Sequence, residues 1–155
     1  MNKFATLLLS LVLLTSSTTS SANEDMLMMH IPLEGSIALE YVKSTIIEHG
    51  YAIAHEQRCD GGMSDFGYQS DLYRVLFFGK GKEVRWLSAK YPDIVSYLPL
   101  KMAVIAEKNE TLVSIVNPMV LAPYYDNDVR MQVTRWKNDI ESMFEDIRRE
   151  VAKRK

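Results

Sequence analysis

The sequence predicts an α+β fold, a two-layer sandwich in which helices pack on a largely antiparallel sheet of about five strands, in the order β-α-β-β-α-β-β-α. Three observations carry this. First, LPLKMAVIAEK and TLVSIVNP (residues 98–108 and 111–118) are strand-length, apolar and rich in β-branched residues, and a polar turn around Asn109-Glu110 separates them. That is the pattern of an antiparallel hairpin. Second, Val129, Val133, Trp136, Ile140, Met143, Ile147 and Val151 follow one another at steps of three or four, the stripe of an amphipathic helix over about residues 128–152. Third, most connections between the periodic segments are short, so each helix must bury its single stripe against the sheet.

Taken in order, residues 1–22 come first. They read MNKFATLLLSLVLLTSSTTSSA, with a positive start at Lys3, an apolar run from Leu7 to Leu14 and small residues up to Ala22. This is the layout of a secretory signal peptide cleaved near Ala22. The apolar run is shorter than the roughly 20 residues a membrane span needs, so no span is expected. A periplasmic or secreted protein is expected, with residues 23–155 forming a single domain. The formal net charge of −2 falls by one more when Lys3 leaves with the leader. No general basic field exists to recruit nucleic acid. Cys59 is the single cysteine, so no disulfide can form within the chain and packing must carry stability.

MLMMHIPL reads as the first strand, ended by Pro32 and Gly35-Ser36. Ser36 is the expected cap of a helix whose apolar band is Ile37, Leu39, Val42, Ile46 and Ile47, and Gly50 allows the left-handed turn that ends it. YAIAHEQ alternates as a second strand, with Ala52, Ala54 and Glu56 on one side. RCDGGMSDFGYQSD is glycine-rich and polar, a loop long enough to carry a site. LYRVLFF is the third strand. Gly79-Lys80-Gly81 turns the chain into a short helix, KEVRWLSAKYP, stopped at Pro92. Pro99 pre-sets an extended start to the hairpin and Pro118 ends it. Asp126 to Asp128 offer caps for the final helix, and basic residues crowd its end, as the helix dipole favours.

With these residues in place, a resemblance can be stated. The run RVLFFGKG followed by a helix, then YPDIVSYLPLKMAVIAEKNETLVSIVNP, resembles the bacterial domain of unknown function 302 family, as does the upstream EHGYAIAHE. The similarity covers roughly Met26 to Pro118. Two departures stand out: Lys80-Gly81 replaces the Asn-Pro of the family's turn, and Leu100 stands where many members carry a cysteine after the Leu-Pro pair. The resemblance implies a compact α+β domain and carries no activity with it.

Both faces of the hairpin are apolar. Met102 and Val104 alternate with Ala103 and Ile105, and Val113 and Ile115 with Leu112, Ser114 and Val116. Helices in a two-layer fold cover one face, so the other is expected to meet a second copy or other protein partner, the C-terminal helix or a small apolar ligand. The residues assigned to that face are Tyr73, Val75, Phe77, Met102, Val104, Val113 and Ile115. The expected function is that of a non-enzymatic binding or interaction module, and a homodimer is the simplest form of it.

The alternative is a metal or thiol redox accessory protein. Met26, Met28, Met29 and His30 combine soft thioethers with an imidazole, a donor set suited to copper, although methionine also fills gaps in apolar strands. His55 and Cys59 would share a face if the strand continued, as a mononuclear site or a thiol with its base; ordinary part-buried residues are the plainer reading. Zinc usually needs a second close pair of ligands, and none exists. No nucleophile elbow, Walker loop, His-Glu-x-x-His or dinucleotide fingerprint is present, and the cofactor is left unknown. FGKGKE follows a strand and could cradle an anion at a helix start, or be a plain turn. Tyr91, Tyr97, Tyr124 and Tyr125 bracket the hairpin, to line a pocket or to cover the sheet rim.

Overall fold

A computed structural model describes residues 25–153. The leader assigned to residues 1–22 lies outside them. Five strands form one sheet: β1 (Met26–Ile31), β2 (Ala52–Arg58), β3 (Leu72–Gly79), β4 (Leu100–Glu107) and β5 (Glu110–Val116), in the order β1-β5-β4-β3-β2. Every neighbouring pair is antiparallel. The helices are α1 (Gly35–Glu48), a short α2 (Asp60–Ser64), α3 (Gly81–Lys90) and α4 (Asn127–Ala152), with 3-10 turns at Pro92–Tyr97 and Pro118–Tyr124. The α+β sandwich expected from the sequence is the fold observed.

The stripe on α4 behaves as its spacing requires. All seven of its members are buried, and Val129, Val133 and Ile140 are fully so. Asp126 caps the helix by accepting from the backbone N–H groups of Asp128 and Val129, at 3.1 and 3.4 Å. Against this stripe and α1 lie the inward side chains of the sheet, including Met29, Ile31, Leu76, Phe78, Met102, Val104, Val113 and Ile115.

Several local expectations need correction. Ser36 does not cap α1: Glu34 holds the cap position, and Ser36 lies inside the helix, donating to the Glu34 carboxylate at 2.6 Å. The inward face of α1 is Ala38, Leu39, Val42, Thr45 and Ile46, while Ile37 and Ile47 are exposed. At about 100° per residue, Ile47 lies too far around the helix from Val42 to share its stripe. Gly50 is left-handed, at φ 76°, as the helix end required. In β2 the register shifts between Ile53 and His55, so Ala54 sits in a bulge and the simple alternation is interrupted there. The hairpin turn is Lys108-Asn109, with Glu110 already in β5. The glycine-rich segment after β2 contains the single turn of α2.

Gly35 has a packing reason to be glycine. A Cβ there would lie 2.5 Å from Ala106 Cβ and 3.1 Å from Leu72 Cβ. The start of α1 therefore sits almost on the backbone of the sheet.

Candidate functional site

The sheet has one clothed face and one bare one. Cross-strand register sorts the bare face into three rows. The first holds Met26, Val116, Lys101, Phe77 and His55. The second holds Met28, Ser114, Ala103, Val75 and Gln57. His30, Leu112, Ile105 and Tyr73 make the third. None of these residues is buried, whereas their neighbours in β4 and β5 that point the other way are nearly all inaccessible. Alternation alone explains the contrast: successive side chains point to opposite faces, and only one face receives helices.

The seven residues assigned to the binding face therefore do not lie together. Tyr73, Val75 and Phe77 are on the bare face. Met102, Val104, Val113 and Ile115 are on the other, at most 3% exposed under α1 and α4. The error is one of phase: assigning a face across several strands requires the register of each pair, and one residue of slip reverses every side chain. Ala103, Ile105, Leu112 and Ser114 are the hairpin's contribution to the bare face. Their alternation with the buried set was visible in the sequence; which set the helices would cover was not.

The edges of this face are polar and anchored. At the hairpin end, Asp71 accepts from the Lys108 backbone N–H at 2.5 Å, which ties the segment after α2 to the turn. Lys108 itself is left-handed, at φ 57°. Tyr68 packs edge-on against Tyr73, centroids 6.3 Å apart, and its hydroxyl lies 3.4 Å from Glu107. On the edge strand β1, His30 Nδ1 lies 2.9 Å from Glu110. On the opposite edge, the His55 ring tilts against Phe77, and its Nε2 is 3.3 Å from Gln57.

The other chemical candidates fall into place around this face. Met29 is withdrawn from the copper set, since it points into the core at 3% exposure; Met26, Met28 and His30 share the bare face. His55 and Cys59 are not on one strand, because β2 ends at Arg58 and Cys59 adopts helical backbone angles at the start of α2. The Cys59 thiol is free and part-exposed, and it points to the Gln57 carbonyl at 4.0 Å. Nearby, Arg74 reaches Asp60 at 2.9 Å and Glu56 at 3.5 Å, tying α2 to the sheet. Burial pushes the Asp60 carboxyl up, but its bonds to Arg74, its own backbone N–H and Arg58 outweigh this and hold it below the usual range. Among the described residues no three His, Cys, Asp or Glu side chains converge as a metal centre.

A polar network that sequence reasoning missed lies beneath the sheet, between α3 and α4. The Tyr51 hydroxyl donates to Asp139 at 2.6 Å, and Lys80 reaches the same carboxylate at 3.3 Å while lying 4.2 Å from the Tyr51 ring centre. Glu83 accepts from Trp136 Nε1 at 2.9 Å and from Gln132 at 3.1 Å, and pairs with Arg135 at 2.8 Å. Burial, and then the Asp139 carboxylate, push the Tyr51 phenol far above its ordinary range. The two ends of this network differ: Tyr51 is 3% exposed and sealed in the core, while Lys80, Asp139 and Arg135 reach solvent. The network clamps the Gly-Lys-Gly turn onto α4, since Glu83, in the first turn of α3, directs its carboxylate to Trp136, Gln132 and Arg135 of α4. FGKGKE is a structural turn.

The tyrosines around the hairpin divide similarly. Tyr91 and Tyr125 stack edge-on at 5.7 Å, Tyr91 donates to Asp126 at 2.6 Å, and Tyr125 to Asp93 at 3.0 Å. They join the end of α3 to the start of α4. Tyr97 lines a cleft of about 140 Å³ at the sheet end, with Leu100, Val116 and Trp136. Tyr124 stands free at 80% exposure.

What the geometry defines is an open-faced α+β sandwich, with its helices on one side of an antiparallel sheet and an apolar field on the other. The family profile described as domain of unknown function DUF302 matches residues 32–149, and the chain belongs to that family. The match runs past Pro118 and takes in most of α4, so the long helix is part of the family domain. A solved structure described as an uncharacterized conserved DUF302 protein from Bacillus stearothermophilus is similar in fold, with a TM-score of 0.67 at 11% identity, over 77% of this chain and 95% of that one. No curated protein sequence matches the chain. No helix among the described residues is long and apolar enough to cross a membrane.

Proposed function

We propose that this chain is a non-enzymatic binding module whose bare sheet face associates with a second copy of itself, the apolar rows of the two sheets meeting face to face. The observation that carries the proposal is the uncovered row structure, with Tyr73, Val75, Phe77, Ile105 and Leu112 left without helices over them. All five are already partly shielded by their neighbours in the sheet, so covering what remains gains only a fraction of the roughly 1.5–3 kcal/mol that such a side chain gains on burial from full exposure.

Two features favour a second copy over a small ligand. The face is charged asymmetrically along the strands, with Lys101 near one end of β4 and Glu107 and Glu110 at the hairpin end. A two-fold axis running across the strands would bring Lys101 of each copy towards the acidic end of the other. The same axis stacks the central strand β4 on its counterpart, where the small Ala103 leaves room for the partner's Ile105. Five strands about 4.8 Å apart and about 20 Å long give roughly 500 Å² of projected face per copy. Side-chain relief brings that towards the roughly 800 Å² per partner of a standard interface. The expected dimer is therefore reversible. Residues 1–22 support export of the protein, and an exported product beginning at Asn23 is expected on N-terminal sequencing.

Sedimentation velocity over a micromolar to millimolar range is the test. Dimer should form as concentration rises, and Ile105→Lys or Phe77→Lys should abolish it while leaving the thermal midpoint near that of the parent chain. A parent chain that stays monomeric throughout overturns the proposal.

A further inference from the structure

A second site lies on the edge of the same face and does not depend on dimerisation. We propose that β1 presents Met26, Met28 and His30 as a binding site for one soft monovalent metal ion, Cu(I) or its surrogate Ag(I).

Alternation in β1 splits its methionines into two populations. Met29 and Ile31 are core residues, at 3% and 1% exposure, while Met28 is 52% exposed and the His30 side chain 66%. A buried methionine needs no further account, since it packs as a flexible apolar filler. The outward Met-x-Met-x-His stripe lies on an edge strand with cross-strand neighbours on one side only, Val116, Ser114 and Leu112 of β5. Its three side chains lie on one side at two-residue spacing, so Met28 and His30 have backbone positions about 6.6 Å apart, as do Met26 and Met28. A thioether and an imidazole can converge across that gap on one ion, with Met26 as a third donor. Thioethers select Cu(I) over harder cations, and no ring of carboxylates is present to favour calcium or magnesium.

The histidine carries the independent observation. Its Nδ1 is 2.9 Å from Glu110 Oε1. In the neutral ring, Nδ1–H donates to that carboxylate, and Nε2 is left with its lone pair. A metal-ligating imidazole is characteristically held in this way, by a carboxylate on its far nitrogen that fixes the tautomer and raises the basicity of the ligating one. Glu110 is a positioning residue here. It belongs to the neighbouring strand β5, so strand pairing aims the ring.

The test is anaerobic titration of the folded chain with Cu(I) against a chromogenic chelator, alongside Ag(I) titration followed by methyl NMR. One ion per chain is expected, with the Met26 and Met28 methyl signals moving and the Met29 signal still. Met28→Leu and His30→Asn should each weaken binding at least 10-fold and together remove it. Glu110→Gln should cost 10–100-fold, the effect usual for a lost outer partner. Met29→Leu should change nothing. Ile105→Lys, designed to disrupt the dimer, should still bind, which separates this site from the face-to-face association. No binding, binding that survives Met28→Leu/His30→Asn, or binding lost instead in Cys59→Ser overturns the inference.

Discussion

At the scale of single residues, the fold is most sensitive where backbone or buried polar groups leave no slack. Gly35→Ala places a Cβ 2.5 Å from that of Ala106, which is too short and rigid to move aside. A loss of about 1–3 kcal/mol is expected in a denaturant melt, the usual cost of overpacking. Tyr51→Phe removes the hydroxyl bonded to Asp139. Lys80 and water still reach that carboxylate, so about 1 kcal/mol is expected at neutral pH. The phenol gives a pH signature as well. Its folded pKa is raised, so its contribution is complete below the unfolded value of about 10 and is lost as pH climbs beyond it. Stability of the parent chain should fall above that pH, and Tyr51→Phe should flatten the fall. Asp60 and Asp126 carry the opposite sign. Both are held below the usual carboxylate range, Asp126 first by the Tyr91 hydroxyl and Asp60 by Arg74 against its burial. Their contributions are present above a pH of about 4 and are lost as pH drops through the folded values. The thermal midpoint should therefore decline on acidification below that point, less steeply in Arg74→Met.

At the scale of elements, α4 is the keystone, and it was also the most legible. A heptad-like run of apolar residues over seven positions has only one helical reading, and the same run sets the helix's orientation in the fold. Ile140→Ala should cost about 2–5 kcal/mol, since Ile140 is fully buried, while Met131→Ala on the outer side of the same helix should lie within about 0.5 kcal/mol. A urea titration of the two variants distinguishes them directly. The hairpin was legible for a related reason, two β-branched runs across a short turn. Legibility ended where information had to cross between strands. Tyr73 and Met102 look alike as alternating strand residues, and only pairing Tyr73 with Ile105 and Leu76 with Met102 shows that they point opposite ways. The Ala54 bulge, the Tyr51–Asp139 bond and the Trp136–Glu83 bond are likewise products of tertiary approach, between residues too far apart in the chain for local pattern to join them.

At the scale of the whole molecule, the topology joins the beginning of the described chain to its late middle. β1 pairs along its full length with β5, from Met26 against Val116 to Ile31 against Thr111. Nothing local can satisfy that ladder, so β1 must wait until β5 has been made and docked, and folding should be slower than in a helical domain of equal size. The arrangement also makes β1 a guard. It occupies the outer hydrogen-bonding edge of β5, and a chain trimmed back past Ile31 would uncover a row of unsatisfied amides and carbonyls beside Val113 and Ile115. Such a truncated chain should polymerise by adding strands from its neighbours, visible as growing light scatter and thioflavin fluorescence. The six residues that open the sheet thus decide which strand is offered to a neighbour at that end: the Met- and His-bearing β1 in place of the β-branched β5.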